Sequence, residues 1–236
     1  RALPPSPWLS VCAPLARVSA AAVRAGAGAH PAARPVDSLL RAGALPLAQA
    51  ALDQEAFELA EALALEISTE YGAAPEVVYA LWIRARAAKA NGNLEGSLDA
   101  AREFRIYLTD GDERIAEVAL LEGDALLELG RTAEAVAAWL PAPGEPVSDG
   151  AFIRVEDHVE DLSYSELHVL VTSAEGLVAP VLAEFAFRQY TLGADAPAQL
   201  YATRALDFGA TGRAQLLAQA VLADDLSEFL VVPRIG

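Results

Sequence analysis

The stretch from residue 79 to residue 108 constrains the fold of this chain more than any other. Its hydrophobic pattern predicts two amphipathic helices joined by a tight turn at 91–93, where Gly92 supplies the positive φ that ends a helix at low cost. Two helices can cross closely only where their side chains are small. Small residues lie seven positions before and five and nine positions after Gly92, and a larger one lies twelve after: Ala85, Ser97, Ala101 and Phe104. One such hairpin cannot bury both of its faces alone, so the stretch predicts neighbours of the same kind.

The same offsets recur around three other turn positions. Glu55 and Gly130 lie 37 and 38 residues from Gly92 (92 − 55 and 130 − 92), and Gly193 follows after a longer interval. The residues at the matching offsets are Ala48, Ala60, Ala64 and Ile67 for the first turn, Gly123, Ala135 and Trp139 for the third, and Ala186, Ala198, Ala202 and Ala205 for the fourth. A period of this size is typical of a helical solenoid.

This pattern of small residues resembles the tetratricopeptide repeat family over residues 38–140, with a fourth unit near 179–211. The resemblance implies an all-α solenoid of helical hairpins whose concave groove binds a protein or peptide partner. The chain departs from the family pattern at Arg84 and Glu122, where the family has a large apolar residue, and its first turn lacks glycine. An armadillo- or HEAT-like helical array is the alternative architecture.

Helix signals divide the chain into four parts. Residues 1–36 precede the first helix, 37–143 form regular repeats, 144–177 form an acidic, irregular insertion, and 178–236 add a further hairpin and a capping helix. The predicted helices are 38–52, 56–71, 75–90, 94–108, 112–129, 132–140, 164–174, 178–191, 196–208 and 213–223. Asp37 or Ser38 is expected to cap the first helix, and Ser163 with Glu166 forms a capping-box pattern.

Three segments are predicted to lie outside the helices. The prolines from Pro141 to Pro146 predict a loop, 151–155 reads as a short strand, and 230–233 reads as an extended tail. Within the insertion, Leu162 and Leu167 have the spacing of a hydrophobic staple around the capping box.

Residues 1–36 differ from the rest because they are rich in Ala, Pro and Arg and contain no acidic residue. One interpretation is an export signal: residues 9–12 resemble a bacterial lipoprotein box, and 25–27 resemble a small-residue cleavage site. This interpretation places the protein in the periplasm or cell envelope of a bacterium. The other is a disordered N-terminal extension of a cytoplasmic protein.

The formal net charge of −16 argues against binding to nucleic acid or to an anionic membrane surface, both of which need a basic face. No run of 18 apolar residues occurs, so the sequence predicts no transmembrane segment. Cys12 is the only cysteine, so an internal disulfide is excluded.

The best candidate binding surface lies on the helix predicted for 75–90. Tyr79, Trp82, Arg86 and Lys89 have the spacing i, i+3, i+7, i+10 and therefore share one face. In the repeat resemblance this face lines the groove, and the next hairpin contributes Glu117, Leu120 and Asp124 from matching positions. The competing interpretation assigns the two aromatic residues to the core and the two cations to solvent.

The chain lacks a Gly-rich phosphate loop, a nucleophile elbow and a dinucleotide fingerprint, so it is expected to be non-catalytic and to need no cofactor or metal. The alternative is an enzyme or metal-dependent module centred on the acidic and histidine residues of 156–168: Glu156, Asp157, His158, Glu160, Asp161 and His168. Their spacing fits no known metal motif. A third possibility is an array that stacks on itself as a homo-oligomer.

Overall fold

A computed structural model describes residues 35–70, 75–109, 111–140, 148–173 and 178–224. These residues form only helices and their connections, which confirms the predicted all-α class. In chain order they are α1 (Pro35–Asp53), α2 (Phe57–Glu70), α3 (Pro75–Ala90), α4 (Leu94–Arg105), α5 (Arg114–Glu128), α6 (Thr132–Trp139), α7 (Asp149–His158), a 3₁₀ turn (Val159–Asp161), α8 (Tyr164–Thr172), α9 (Ala179–Thr191), α10 (Asp195–Asp207) and α11 (Gly212–Ala223).

Five of the connections share one backbone geometry. A single residue takes a left-handed conformation at Glu55, Gly92, Gly130, Gly193 and Gly209, with φ values of 59°, 79°, 75°, 75° and 77°. After α3, the Gly92 N–H donates to the Lys89 carbonyl (3.0 Å) and the Asn93 N–H donates to the Ala88 carbonyl (2.8 Å). These two bonds define a Schellman motif, which satisfies carbonyls that a helix end leaves free. The four predicted turn positions are therefore confirmed, and Glu55 takes the required conformation without being glycine.

These turns are short because the residue directly after the left-handed one is already the N-cap of the next helix. Asn93 accepts the first helical hydrogen bond of α4, from the Ser97 N–H (2.9 Å), and its side chain caps the Gly96 N–H (3.1 Å). In four of the five turns the next helix starts two residues after the left-handed position, at Phe57, Leu94, Thr132 and Asp195. Consecutive helices therefore fold back on each other as hairpins.

The small residues predicted at the helix crossings are buried in the structure. Ala48, Ala85, Ala135, Ala186 and the other residues at the predicted offsets are no more than 2% exposed, except Gly123, which is buried. In the second hairpin the Ser97 hydroxyl donates to the Ala85 carbonyl across the crossing (2.8 Å). In the third, the absent side chain of Gly123 leaves room for the indole of Trp139. These positions explain why small residues recur at fixed distances from each turn.

The core is serial: three clusters of buried apolar side chains follow one another along the chain. The first joins α1, α2 and α3, and the second joins α3, α4 and α5 around Leu81 and Phe104. The third extends from Leu98 in α4 to Val221 in α11. Helices pack mainly on their chain neighbours, with additional contacts between α1 and α3 and between α9 and α11. Such packing lets each hairpin bury its second face against the next hairpin.

Two predictions about helix positions are wrong. Residues 151–155 belong to α7 and not to a strand, because the Ser148 hydroxyl accepts the Ala151 N–H (3.3 Å) and because Ala151, Val155 and Val159 recur at helical spacing in the core. The first helix begins at Pro35, before the predicted caps at residues 37 and 38, and proline suits a first turn that needs no N–H.

The remainder of the insertion within the described residues is also helical. Ser163 and Glu166 form the predicted capping box, with the Glu166 carboxylate accepting the Ser163 N–H (2.7 Å). Leu162 and Leu167 are both buried in the third core cluster, with Val155 and Val159 of the preceding helical segment. Residues 148–173 are therefore not irregular, since they join the core that α6 and α9 share.

Several predictions fall outside the described residues: the export signal or disordered extension up to residue 34, the proline-rich loop from Pro141 to Pro146 and the tail at 230–233. No helix in the described part of the chain is long and apolar enough to cross a membrane.

Candidate partner-binding face

Three of the predicted contact residues form an open patch on α3. Tyr79 is 56% exposed, and the guanidinium of Arg86 lies 5.9 Å from the centre of the Trp82 ring. The Trp82 ring is half-buried and stacks on the core residue Phe104, with centroids 5.3 Å apart and an interplanar angle of 24°. One face of this indole therefore packs on the core, while the neighbouring side chains of Tyr79 and Arg86 are exposed to solvent. Trp82 therefore lies partly in the core, and its role as a contact residue stays a prediction.

A second arginine near this patch, Arg114, is paired within the protein. The guanidinium of Arg114, at the start of α5, lies 5.5 Å from the Phe104 ring and donates two hydrogen bonds to Asp112, at 2.9 and 2.6 Å. Hydrogen bonds from the Arg114 side chain and backbone lower the pKa of Asp112 to about 2. Asp112 therefore stays ionised, and the charge of Arg114 is balanced internally.

Lys89 and Asp124, two further predicted contact residues, bind each other. The Lys89 ammonium lies 3.3 Å from Asp124 Oδ2 and 3.7 Å from Glu128 Oε1. Arg154 of α7 donates from Nε to Asp124 Oδ1 (2.5 Å) and from Nη2 to Asp124 Oδ2 (3.0 Å). This chain of ion pairs links α3, α5 and α7. Helices α3 and α5 are the first helices of successive hairpins. Lys89 and Asp124 thus have a structural partner already, whatever they contribute to binding.

The ion pairs of Asp124 lower the pKa of its carboxyl group. Burial by itself would raise this pKa, but the hydrogen bond from Arg154 and the charge of Lys89 outweigh burial and lower it below its usual value of 3.8. A carboxylate with a lowered folded-state pKa stabilises the fold above its unfolded-state pKa, and the stabilisation is lost as pH falls through the folded-state pKa.

We expect Asp124→Asn to lower the free energy of unfolding at pH 7. The difference in unfolding free energy between the variant and the native protein should be the same at pH 5. Below pH 3.8 the difference should shrink, because the native carboxylate then gains a proton on unfolding. Urea unfolding at several pH values measures it. The matched control is Asp99→Asn, since Asp99 is exposed and makes no ion pair within the described residues. A difference that grew as the pH fell would contradict the assignment.

Glu117, the last predicted contact residue, lies on the exposed side of α5 and forms no ion pair with any described residue. Arg86 likewise has the Trp82 ring but no carboxylate within ion-pair distance in the described part of the chain. The predicted set therefore separates into an open group (Tyr79, Trp82, Arg86 and Glu117) and an internally bonded pair (Lys89 and Asp124).

The acidic and histidine residues of 156–168 do not converge. The His158 ring stacks on Trp139 with centroids 5.7 Å apart, and its Nδ1 lies 3.9 Å from Asp161. His168 lies instead beside Tyr164 and Phe185. Across the described residues no three His, Cys, Asp or Glu side chains are grouped closely enough to hold a metal ion.

Among the described residues, the most buried charged group is Glu184 of α9, which is 1% exposed and which sequence reasoning missed. Its two carboxylate oxygens accept from Arg188 Nε and from Arg213 Nη1, each at 2.9 Å. Arg188 also donates to the Glu160 carbonyl (2.9 Å), and Arg213 lies 3.3 Å from the Glu160 carboxylate. This cluster joins α9, α11 and the 3₁₀ turn. The i, i+4 spacing of Glu184 and Arg188 was the available signal, but such pairs also occur on exposed helix faces.

No protein-family model, curated protein or solved structure matches this chain.

Proposed function

We propose that this chain is a non-catalytic scaffold, an α-solenoid of tetratricopeptide-like hairpins that binds a protein or peptide segment on the face formed by α3, α5 and α7. Support for the architecture comes from the left-handed turns, the buried small residues at equal offsets and the serial core. Repeats of this kind bury each hairpin against its neighbours and leave one helix of each hairpin along a shared surface.

The exposed aromatic and cationic patch on α3 is the observation that carries the proposal. Tyrosine, tryptophan and arginine are enriched among the residues that contribute most to protein–protein binding, because they combine a large contact area with a polar end. Here Tyr79 is exposed, Trp82 is anchored by Phe104, and Arg86 has its charge available. A rigid aromatic side chain loses little conformational entropy when a partner binds.

We expect a Tyr79→Ser/Arg86→Ala variant to lose its partner in a pull-down from cells of the source organism, with a loss of at least about tenfold in affinity once the partner is purified. Melting temperature should stay unchanged, since both side chains are exposed. Trp82→Ala is less informative because it also removes the contact with Phe104, so it should lower both binding and stability.

The matched control is Tyr107→Ser/Arg204→Ala, which removes an exposed tyrosine and an exposed arginine elsewhere on the surface. This variant should keep the partner. Retention of the partner by both variants would contradict the proposed face. A pull-down that recovers only further copies of this chain would favour self-association instead. In that case the molar mass of the purified protein in light scattering should rise with protein concentration.

A further inference from the structure

The charged residues at the predicted contact positions, together with the residues they pair with, form two groups. Lys89 and Arg154 are paired with Asp124 and Glu128, and Arg114 is paired with Asp112. Arg86 and Glu117 are exposed and form no ion pair with any described residue. Within this set a partner therefore meets one unpaired cation and one unpaired anion, although the chain as a whole carries a charge of −16.

These two charges belong to one surface on neighbouring helices. Arg86 and Lys89 are three residues apart on α3, while Glu117 and Asp124 are seven apart on α5, so each pair shares a helix face. The ion pair between Lys89 and Asp124 brings these two faces together. The apolar residues beside them are Tyr79 and Trp82 on α3 and the half-buried Leu120 on α5.

We propose that this face binds a peptide segment of alternating charge, with an acidic side chain on Arg86, a basic side chain on Glu117 and an apolar side chain against Tyr79 and Trp82. This inference rests on the proposed function. A purely acidic segment would be repelled by the net charge of −16 and would meet Glu117, whereas a purely basic segment would place like charge on Arg86. Only a mixed segment pairs both groups.

The test uses a displayed library of random 12-residue peptides, selected on the immobilised full chain and in parallel on Tyr79→Ser, Arg86→Glu and Glu117→Arg. We expect peptides enriched on the native chain, but not on Tyr79→Ser, to carry an acid and a base on either side of an apolar residue. Arg86→Glu should enrich peptides with bases on both sides, and Glu117→Arg should enrich peptides with acids on both sides. These expectations do not depend on the direction in which a peptide lies.

A synthetic consensus peptide should bind each single-charge variant about tenfold more weakly than the native chain, since rim charges contribute chiefly to specificity. Arg204→Glu, on an exposed position of α10, is the control and should leave the enriched peptides unchanged. If either charge-reversal variant fails to fold, Arg86→Gln and Glu117→Gln provide the same comparison. Peptides selected on Arg86→Gln should lose the preference for an acidic residue, and peptides selected on Glu117→Gln should lose the preference for a basic residue.

The outcomes separate the two proposals. Peptides that require Tyr79 but show the same charges on all variants would overturn the charge pairing and leave the binding face intact. A selection that yields no peptide dependent on Tyr79 would count against the binding face itself.

Discussion

Gly123→Ala is expected to lower the free energy of unfolding by about 3 kcal/mol or more, because even one methyl group in a packed core forces neighbours to move. A Cβ at Gly123 would overlap the indole of Trp139, which is 1% exposed and stacks on His158. The indole cannot withdraw into solvent. For a chain of this size the corresponding fall in melting temperature is roughly 6 to 12 °C, and differential scanning calorimetry measures it.

Two companion variants identify the cause. Gly43→Ala changes another helical glycine whose added Cβ would meet nothing within 4 Å, so it should stabilise the protein by roughly 0.5–1 kcal/mol. Combining Gly123→Ala with Trp139→Leu makes room for the new methyl group, so the double variant should lose less stability than the sum of the single losses. Additive losses would show that the overlap with Trp139 is not the reason.

Glu184→Ala is expected to cost about 3 kcal/mol of unfolding free energy, the lower end of the range for a broken buried ion pair. The lower end applies because the side chains of Arg188 and Arg213, at 35% and 37% exposure, keep some access to water once the carboxylate is gone. Chemical denaturation followed by circular dichroism measures the loss. Because the cluster joins α9, α11 and the 3₁₀ turn, hydrogen exchange should rise in these segments more than in α2 and α3.

Glu134→Ala is the control, since Glu134 also binds an arginine through two hydrogen bonds but lies on the surface of α6. Exposed ion pairs contribute little to stability, so this variant should behave like the native protein. Equal losses for the two variants would mean that burial of Glu184 does not determine its contribution.

Much of the fold could be predicted because its signals are local. Gly92 and Gly130 mark helix ends because a left-handed residue is needed there. Helices α3 and α4 begin at the predicted residues because Pro75 suits a first helical position and Asn93 suits an N-cap. Helix α7 was not predicted because Phe152, Ile153 and Val155 favour strands. In the structure, burial of Val155 and capping by Ser148 stabilise the helix instead. Propensity is a weak signal where tertiary packing decides.

The candidate site was predictable only in part. Helical spacing shows that Tyr79, Trp82 and Arg86 share a face, since that depends on one helix alone. It cannot show that Lys89 reaches Asp124, because those residues are 35 positions apart and meet through the packing of two hairpins. The network around Glu184 was missed for the same reason: its members lie on three separate elements.

The shared turn geometry also restricts how such a chain can change its length. The next helix starts within two residues of the left-handed position in four of the five turns, so a single inserted or deleted residue has no loop to absorb it. It would rotate the following helix by about 100° and move its small residues away from the crossing. A gene encoding this array can therefore lengthen it at these turns by copying whole hairpins, but not by gradual insertion.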